Sequence, residues 1–225
     1  MKNWQKVLLL LSLVAGMQKL SAENPNRVRF QDGVFGIGAG WQQRPHGILP
    51  HMFMGGNVKP GNAWGPMINM NLGFGRDNSI LRTFAGWEFG QSSASGQRQL
   101  YTPTFEHINM SGWSYAFTLG QRANIGKWVM GVSGTIGGFT HSYSVWQSAI
   151  GASPFYFENN VPVSGMLYGM TMFGERQITE LPSGTGRVNA RIATGVTGTS
   201  VNNVNGANPF VKAGLVLNIN INEQR

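Results

Sequence analysis

The sequence predicts an all-β fold, an antiparallel up-and-down transmembrane β-barrel of eight to ten strands. Three observations carry that prediction. The first is alternation. Within residues 210–222, Val211, Ala213, Leu215, Leu217, Ile219 and Ile221 share one parity, and Lys212, Gly214, Val216, Asn218, Asn220 and Asn222 share the other. Successive strand side chains point to opposite faces, so this segment is a ribbon with one apolar face and one small or polar face. Asparagine at every second position is also poor helix material. The second is composition: only 12% of residues are charged, 32 of 225 are glycine, and there are 7 Trp and 13 Phe. A barrel in lipid needs that mixture, with an apolar exterior, a small and polar lumen and aromatic girdles at both interfaces. The third is an N-terminal export segment followed by no helix-length apolar run.

That export segment is residues 1–22. Lys2 and Lys6 form a positive start, residues 7–15 are apolar, and Ala22 offers a small residue for cleavage, the pattern of a secretory signal peptide. Residues 23–225 are then expected to form one barrel domain. Removal of Lys2, Lys6 and Lys19 lowers the 17 basic residues by three against 9 acidic ones, so the net charge falls from +8 to about +5. Dispersed arginines on an exported chain do not make a nucleic-acid stripe. The absence of cysteine excludes a disulfide framework, and the aromatic content argues against disorder.

The elements follow in order. Residues 23–32 read as a polar lead-in. Residues 33–41 are the first strand, with Phe35, Ile37, Ala39 and Trp41 opposed by Val34, Gly36, Gly38 and Gly40. Residues 48–58 are a weaker strand, since Pro50 must sit at its start or beside an irregularity, and Lys59-Pro60-Gly61-Asn62 turns the chain. Residues 64–76 alternate cleanly, with Trp64, Ile68, Met70, Leu72 and Phe74 on one face. In residues 79–91, Leu81, Ala85, Trp87 and Phe89 oppose Arg82, Phe84, Gly86 and Glu88. Residues 92–110 form a long polar connection with room for a strand near 100–108.

Trp113, Tyr115, Phe117 and Leu119 make the clearest aromatic outward face. A short turn near Asn124 leads to Trp128, Met130, Val132 and Ile136, and the two segments form a hairpin. Residues 141–162 are a second long connection. In residues 163–177 both parities are partly apolar, so the facing stays open. Val188, Ala190, Ile192 and Val196 oppose Arg187, Asn189 and Arg191, and residues 210–222 close the set. An even strand number is normal for single-chain bacterial barrels. Eight strands result if 48–58 is loop, and ten if the 97–110 region adds one.

The lumen parity collects Arg82, Glu88, Arg122, Lys127, Glu175, Arg187, Arg191 and Lys212. In a narrow interior such charges must pair, and arginine's planar fork suits carboxylates. They make either a salt-bridged plug or a narrow, positively biased pore that favours anions. His46, His51, His107 and His141 show no metal-ligand spacing, and no cysteine joins them, so neither a metal nor another cofactor is expected. His141, Ser142, Ser144 and Glu158 fall in one connection. A serine hydrolase would need them to converge, and ordinary loop polarity is the simpler reading. Gly36-x-Gly38-x-Gly40 is no phosphate loop, because no strand-to-helix transition follows.

The alternating strands over residues 33–222, the tight turns, the aromatic strand ends and the export segment together resemble small Gram-negative outer-membrane β-barrels of the porin-like or OmpA-like class. The resemblance implies an integral, non-enzymatic membrane barrel with a structural or narrow-pore role. It implies outer-membrane lipid as surroundings, and periplasmic chaperones and the barrel-assembly machinery as partners during export. Three rivals have distinct signatures. A surface-binding protein or adhesin would act through connections 92–110 and 141–162. A lipid-modifying hydrolase would depend on His141. A soluble secreted β-barrel or sandwich would turn its apolar faces inward.

Overall fold

Eight of the alternating segments pair edge to edge until the first meets the last. The computed structural model describes residues 29–42, 62–75, 80–101, 104–149, 154–181, 186–201 and 204–220. The strands are β1 (Arg29–Gln42), β2 (Ala63–Gly75), β3 (Leu81–Tyr101), β4 (Thr104–Ile125), β5 (Trp128–Ala149), β6 (Phe155–Glu180), β7 (Gly186–Val201) and β8 (Val204–Asn220). Each is antiparallel to the next, and β1 also pairs with β8, so the sheet is a closed barrel. Val34 of β1, for example, faces Asn71 of β2 on one side and Asn218 of β8 on the other. Closure gives every strand two partners, as a lipid-exposed backbone requires. The predicted export segment and the weak strand at 48–58 lie outside the described residues.

The alternation is realised as predicted within the membrane-facing part. Trp113 is 64% exposed, Met170 69% and Ile192 65%, all pointing outward. Trp41 and Trp64 meet edge to face with centroids 6.4 Å apart. At the other rim the Arg176 guanidinium sits 5.4 Å over the Trp128 ring. Large apolar side chains outside and charged ones inside are the reverse of a soluble barrel, so the soluble-secreted expectation is corrected. β6 is also resolved: Met166, Met170 and Met172 face out, while Phe173 and Glu175 are buried inside.

Other expectations need correction. The connections expected at 92–110 and 141–162 are strand over 92–101, 104–110, 141–149 and 155–162. β3 has 21 residues, β4 22, β5 22 and β6 26, against 14 for β1 and 13 for β2. The lead-in at 23–32 is also partly strand, since β1 begins at Arg29 and carries Asp32 inward.

Inward glycines let neighbouring side chains cross the narrow lumen. A Cβ on Gly73 would collide with the Asp32 carboxylate and the Arg122 guanidinium. At the β4–β5 turn the requirement is conformational instead, since Gly126 has φ of 60°.

Candidate functional site

The lumen is filled in tiers. At the end carrying the short turns, β1 contributes Asp32, β3 Arg82 and Phe84, and β4 Arg122. Asp32 Oδ2 accepts from Arg82 Nη1 at 2.7 Å, and Asp32 Oδ1 accepts from Arg122 Nη2. One carboxylate therefore gathers two guanidinium groups from different strands. Charge-assisted bonds of this kind are among the stronger ones available to side chains. Arg122 also lies 5.8 Å over the Phe84 ring, and Phe84 meets Phe173 edge to face at 5.7 Å.

A second carboxylate organises the opposite wall. Glu175 of β6 accepts from Asn189 of β7 at 2.9 Å and from Asn218 of β8 at 3.2 Å, both through Oε2. Its Oε1 faces Arg191 Nη1 at 3.8 Å, while the Arg191 guanidinium stacks 4.1 Å from the Phe173 centroid. The two carboxylate clusters are thus joined through Phe84 and Phe173, with Val129 and Ala193 packed into the same layer. Nearer the lumen centre, Lys212 pairs with Glu88 and lies 4.5 Å over the Phe210 ring.

Above these tiers the interior turns apolar, with Ile108, Met110, Phe139, Tyr143, Val145 and Val163 in one buried cluster. Between that cluster and the Glu88–Lys212 pair lies a cavity of about 110 Å³. His141 borders it, with Nε2 3.1 Å from Ser92 Oγ.

Seven of the eight sequence-predicted charges carry lumen parity: Arg82, Glu88, Arg122, Glu175, Arg187, Arg191 and Lys212. Arg82 and Arg122 are brought together by Asp32, Arg191 by Glu175, and Lys212 by Glu88. Arg187 is half-buried opposite Asn218 and Glu180. Lys127 is a correction: it occupies the exposed β4–β5 turn beside Gly126, because the strand parity that placed it inside ends at Ile125. Asp32, Asn189, Asn218, Ser92 and buried Glu106 were missed. Extending the β1 parity back two residues from Val34 would have found Asp32, a carboxylate on a face otherwise short of partners for arginine.

The hydrolase set does not converge. His141 and Tyr143 point inward, whereas Ser142 and Ser144 take the opposite parity, and Ser144 Oγ accepts from the Asn160 backbone N–H at 3.0 Å. The Glu158 side chain lies outside the described residues. A different imidazole–hydroxyl pair occurs on the outer face, where His107 Nε2 is 2.7 Å from Ser148 Oγ and stacks on Trp146 with centroids 5.1 Å apart. Among the described residues no cluster of three or more His, Cys, Asp or Glu is placed to hold a metal.

No protein-family model matches the chain, and no curated protein is similar to it in sequence. Among solved structures it resembles Ail, the attachment invasion locus protein of Yersinia pestis, determined with the heparin analogue sucrose octasulfate. That likeness has 13% identity, a TM-score of 0.38, and covers 84% of this chain and 99% of Ail. It also resembles neisserial surface protein A, at 12% identity and TM-score 0.32 over 85% of this chain and 97% of that one. The outer-membrane protease OmpT of Escherichia coli matches at 9% identity and TM-score 0.37, over 88% and 98%. These likenesses are remote, and the ligands and activities of those proteins are their own.

Proposed function

We propose that this protein is an integral outer-membrane barrel with a shut lumen, working at the cell surface through the sheet that β3, β4, β5 and β6 raise above the bilayer. The observation that supports this reading is strand length. A tilted strand crosses the hydrocarbon core in roughly 9–11 residues, and β3 to β6 have 21 to 26. The excess of about ten residues amounts to roughly 30 Å of strand, at about 3.3 Å per residue. Short turns and both chain ends mark the periplasmic side of such barrels, which puts the extended hairpins outside the cell.

The lumen charges serve here as a plug. Arg82, Arg122, Arg187, Arg191 and Lys212 face Asp32, Glu88, Glu106 and Glu175 across the interior, a near balance that gives little selectivity for anions. Paired carboxylates, the Phe84–Phe173 contact and the upper apolar cluster together leave the interior without a continuous polar path.

The raised sheet has two edges. Beyond Ser93 β3 has no β2 partner among the described residues, and beyond Met166 β6 has no β7 partner. The β6 edge is blunted by exposed Pro162, by Asn160 at φ 53° and by register shifts around Val145. Proline and bulges are the usual protection of an edge strand. The β3 edge over 94–98 has neither device, its one register shift lying further on between Gln99 and Tyr101, and it is the side on which an extended polypeptide segment would add as a further strand.

The test replaces residues 96–108 by an Asn-Gly turn that joins Ser95 to Asn109, which face each other in β3 and β4. The variant should keep the boiling-dependent gel shift of a folded barrel. Expressing cells should lose adherence to polypeptide-coated surfaces, and the intact protein should pass no current in a planar bilayer. Steady ion conductance by the intact protein would overturn the shut lumen. Adherence unchanged in the shortened variant would overturn the surface role.

A further inference from the structure

β2 and β3 do not pair along their whole length. Their register runs from Phe74 opposite Thr83 to Met67 opposite Gly90, skips Gly65 and Pro66, and resumes only at Trp64 opposite Ser93. Proline has no N–H to give to a ladder. Gly65 beside it has no side chain, and the Gln91 carbonyl oxygen of β3 occupies the space a Cβ would need. A gap of this kind is costly in a barrel wall, because lipid supplies no replacement donor.

The upper lumen cavity of about 110 Å³ reaches this same seam. Gly65, Gly90 and Ser92, of inward parity, line it together with their exposed neighbours Trp64, Pro66 and Gln91. Within, Phe139, Val163, Leu167 and Phe210 wall it beside Thr135, Thr171, Thr197, Thr199 and His141, and the Glu88–Lys212 pair forms its floor. Trp41, edge-on to Trp64, flanks the opening at the outer aromatic rim.

We propose that the β2–β3 seam at Pro66 is a lateral window through which the alkyl chain of a single-chain amphiphile passes from the outer leaflet into the upper lumen cavity. Volume sets the class of occupant. An apolar cavity of about 150 Å³ accommodates a benzene molecule, so this one takes a few methylene groups and not a whole lipid. The larger part of the cavity surface is apolar, which favours hydrocarbon, and the tryptophan rim keeps the polar head of the amphiphile at the interface. The window lies in the wall and not in the mouth, so the bilayer is the source of the chain.

The chain has no cysteine, which makes a single reporter clean. In vesicles, Leu167→Cys should react with a decyl-chain maleimide dissolved in the bilayer about tenfold faster than with a water-soluble sulfonated maleimide. Pro66→Val restores a ladder donor and should slow the decyl reaction by about tenfold. Gly90→Leu blocks the window independently: a Cβ there meets only Ser114 Oγ at 3.2 Å, a hydroxyl that must shift slightly, and the Pro66 carbonyl at 3.9 Å, and a side chain there should slow labelling equally. Only protein with the boiling-dependent gel shift is scored, so a variant that misfolds does not mimic the result. Unchanged decyl labelling in both variants would overturn the window. Equal reaction with the sulfonated reagent would show that the cavity fills from water through the mouth, and would overturn it too.

Discussion

Arg122 and Asp32 lie 90 residues apart in the chain and form an ion pair inside the barrel with each side chain only 4% exposed. Such a pair is asymmetric in its energetics. The intact pair offsets its own desolvation only approximately, but removing one partner leaves an uncompensated charge, at a cost of about 3–5 kcal/mol. Asp32→Asn strands two guanidinium groups, Arg82 and Arg122, and should destabilise the barrel by that amount in urea unfolding from lipid vesicles. Asp32→Asn combined with Arg122→Met should recover the part of the loss that comes from Arg122, because a thioether needs no counter-charge, while Arg82, 18% exposed, keeps partial solvation. If the double variant is as unstable as the single one, the cost is steric and not electrostatic.

Lys212 and Glu88 make a weaker case of the same kind. Their side chains are 19% and 25% exposed, so water screens both charges and each retains partial solvation when its partner is removed. A double-mutant cycle with Lys212→Met and Glu88→Leu should give a coupling of about 1 kcal/mol, within the range for contacting residues. The coupling between Asp32 and Arg122 should be at least twice as large. Equal couplings would mean that exposure does not rank the two pairs.

How much of this was legible in the sequence depends on what each face meets. Where the outer face meets lipid, the alternation is apolar-out, and Met70, Trp87 and Phe117 announced it. Above the bilayer the outer face meets water and the phase inverts. There Ile108, Met110, Tyr143 and Val145 are inside, while Asn109, Ser142 and Ser144 are outside. A reading tuned to one phase took these stretches for polar connections, although the period of two never stopped. Asp32 was lost because its neighbours Arg29 and Gln31 made the segment look solvated. Lys127 was gained wrongly because parity counts through a turn that geometry interrupts. The pairing of charges across the lumen, such as Glu175 with Asn189 and Asn218, depends on strand register, which alternation alone leaves open.

The glycine pattern makes a prediction about packing. A Cβ on Gly120 would collide first with the Val132 carbonyl oxygen of β5, and would lie 2.7 Å from Phe84 Cζ and 2.7 Å from Ser133 Cβ, closer than carbon atoms approach without displacement. Gly120→Val should therefore push Phe84 away from Arg122 and Phe173, at about 1–3 kcal/mol, the usual range for overpacking. Gly174 is the control. Nothing lies within 4 Å of its Cβ position, and its φ is not in the left-handed region. Gly174→Val should change stability by no more than about 0.5 kcal/mol in the same assay. A large loss at Gly174 would mean that strand glycines here matter for backbone reasons and not for side-chain room.

The outer face of β6 separates a membrane barrel from a soluble one by depth. Its outward run from Ser164 to Arg176 passes through Met166, Met170 and Met172, with Met170 at the middle. Ile178, 60% exposed, lies beyond Arg176, at the rim where that guanidinium covers Trp128. A lysine at the bilayer midplane of such a barrel costs roughly 2–4 kcal/mol, and near the interface roughly 0–1. Met170→Lys should therefore destabilise the vesicle-inserted protein by about 2–4 kcal/mol, and Ile178→Lys by about 1 kcal/mol or less. The ratio is more informative than either value. In a barrel whose exterior meets water, both substitutions would replace an exposed apolar side chain with a solvated one and leave stability nearly unchanged. Equal, small effects at the two positions would therefore remove the bilayer from around β6, and a steep difference between them places Met170 in its hydrocarbon core.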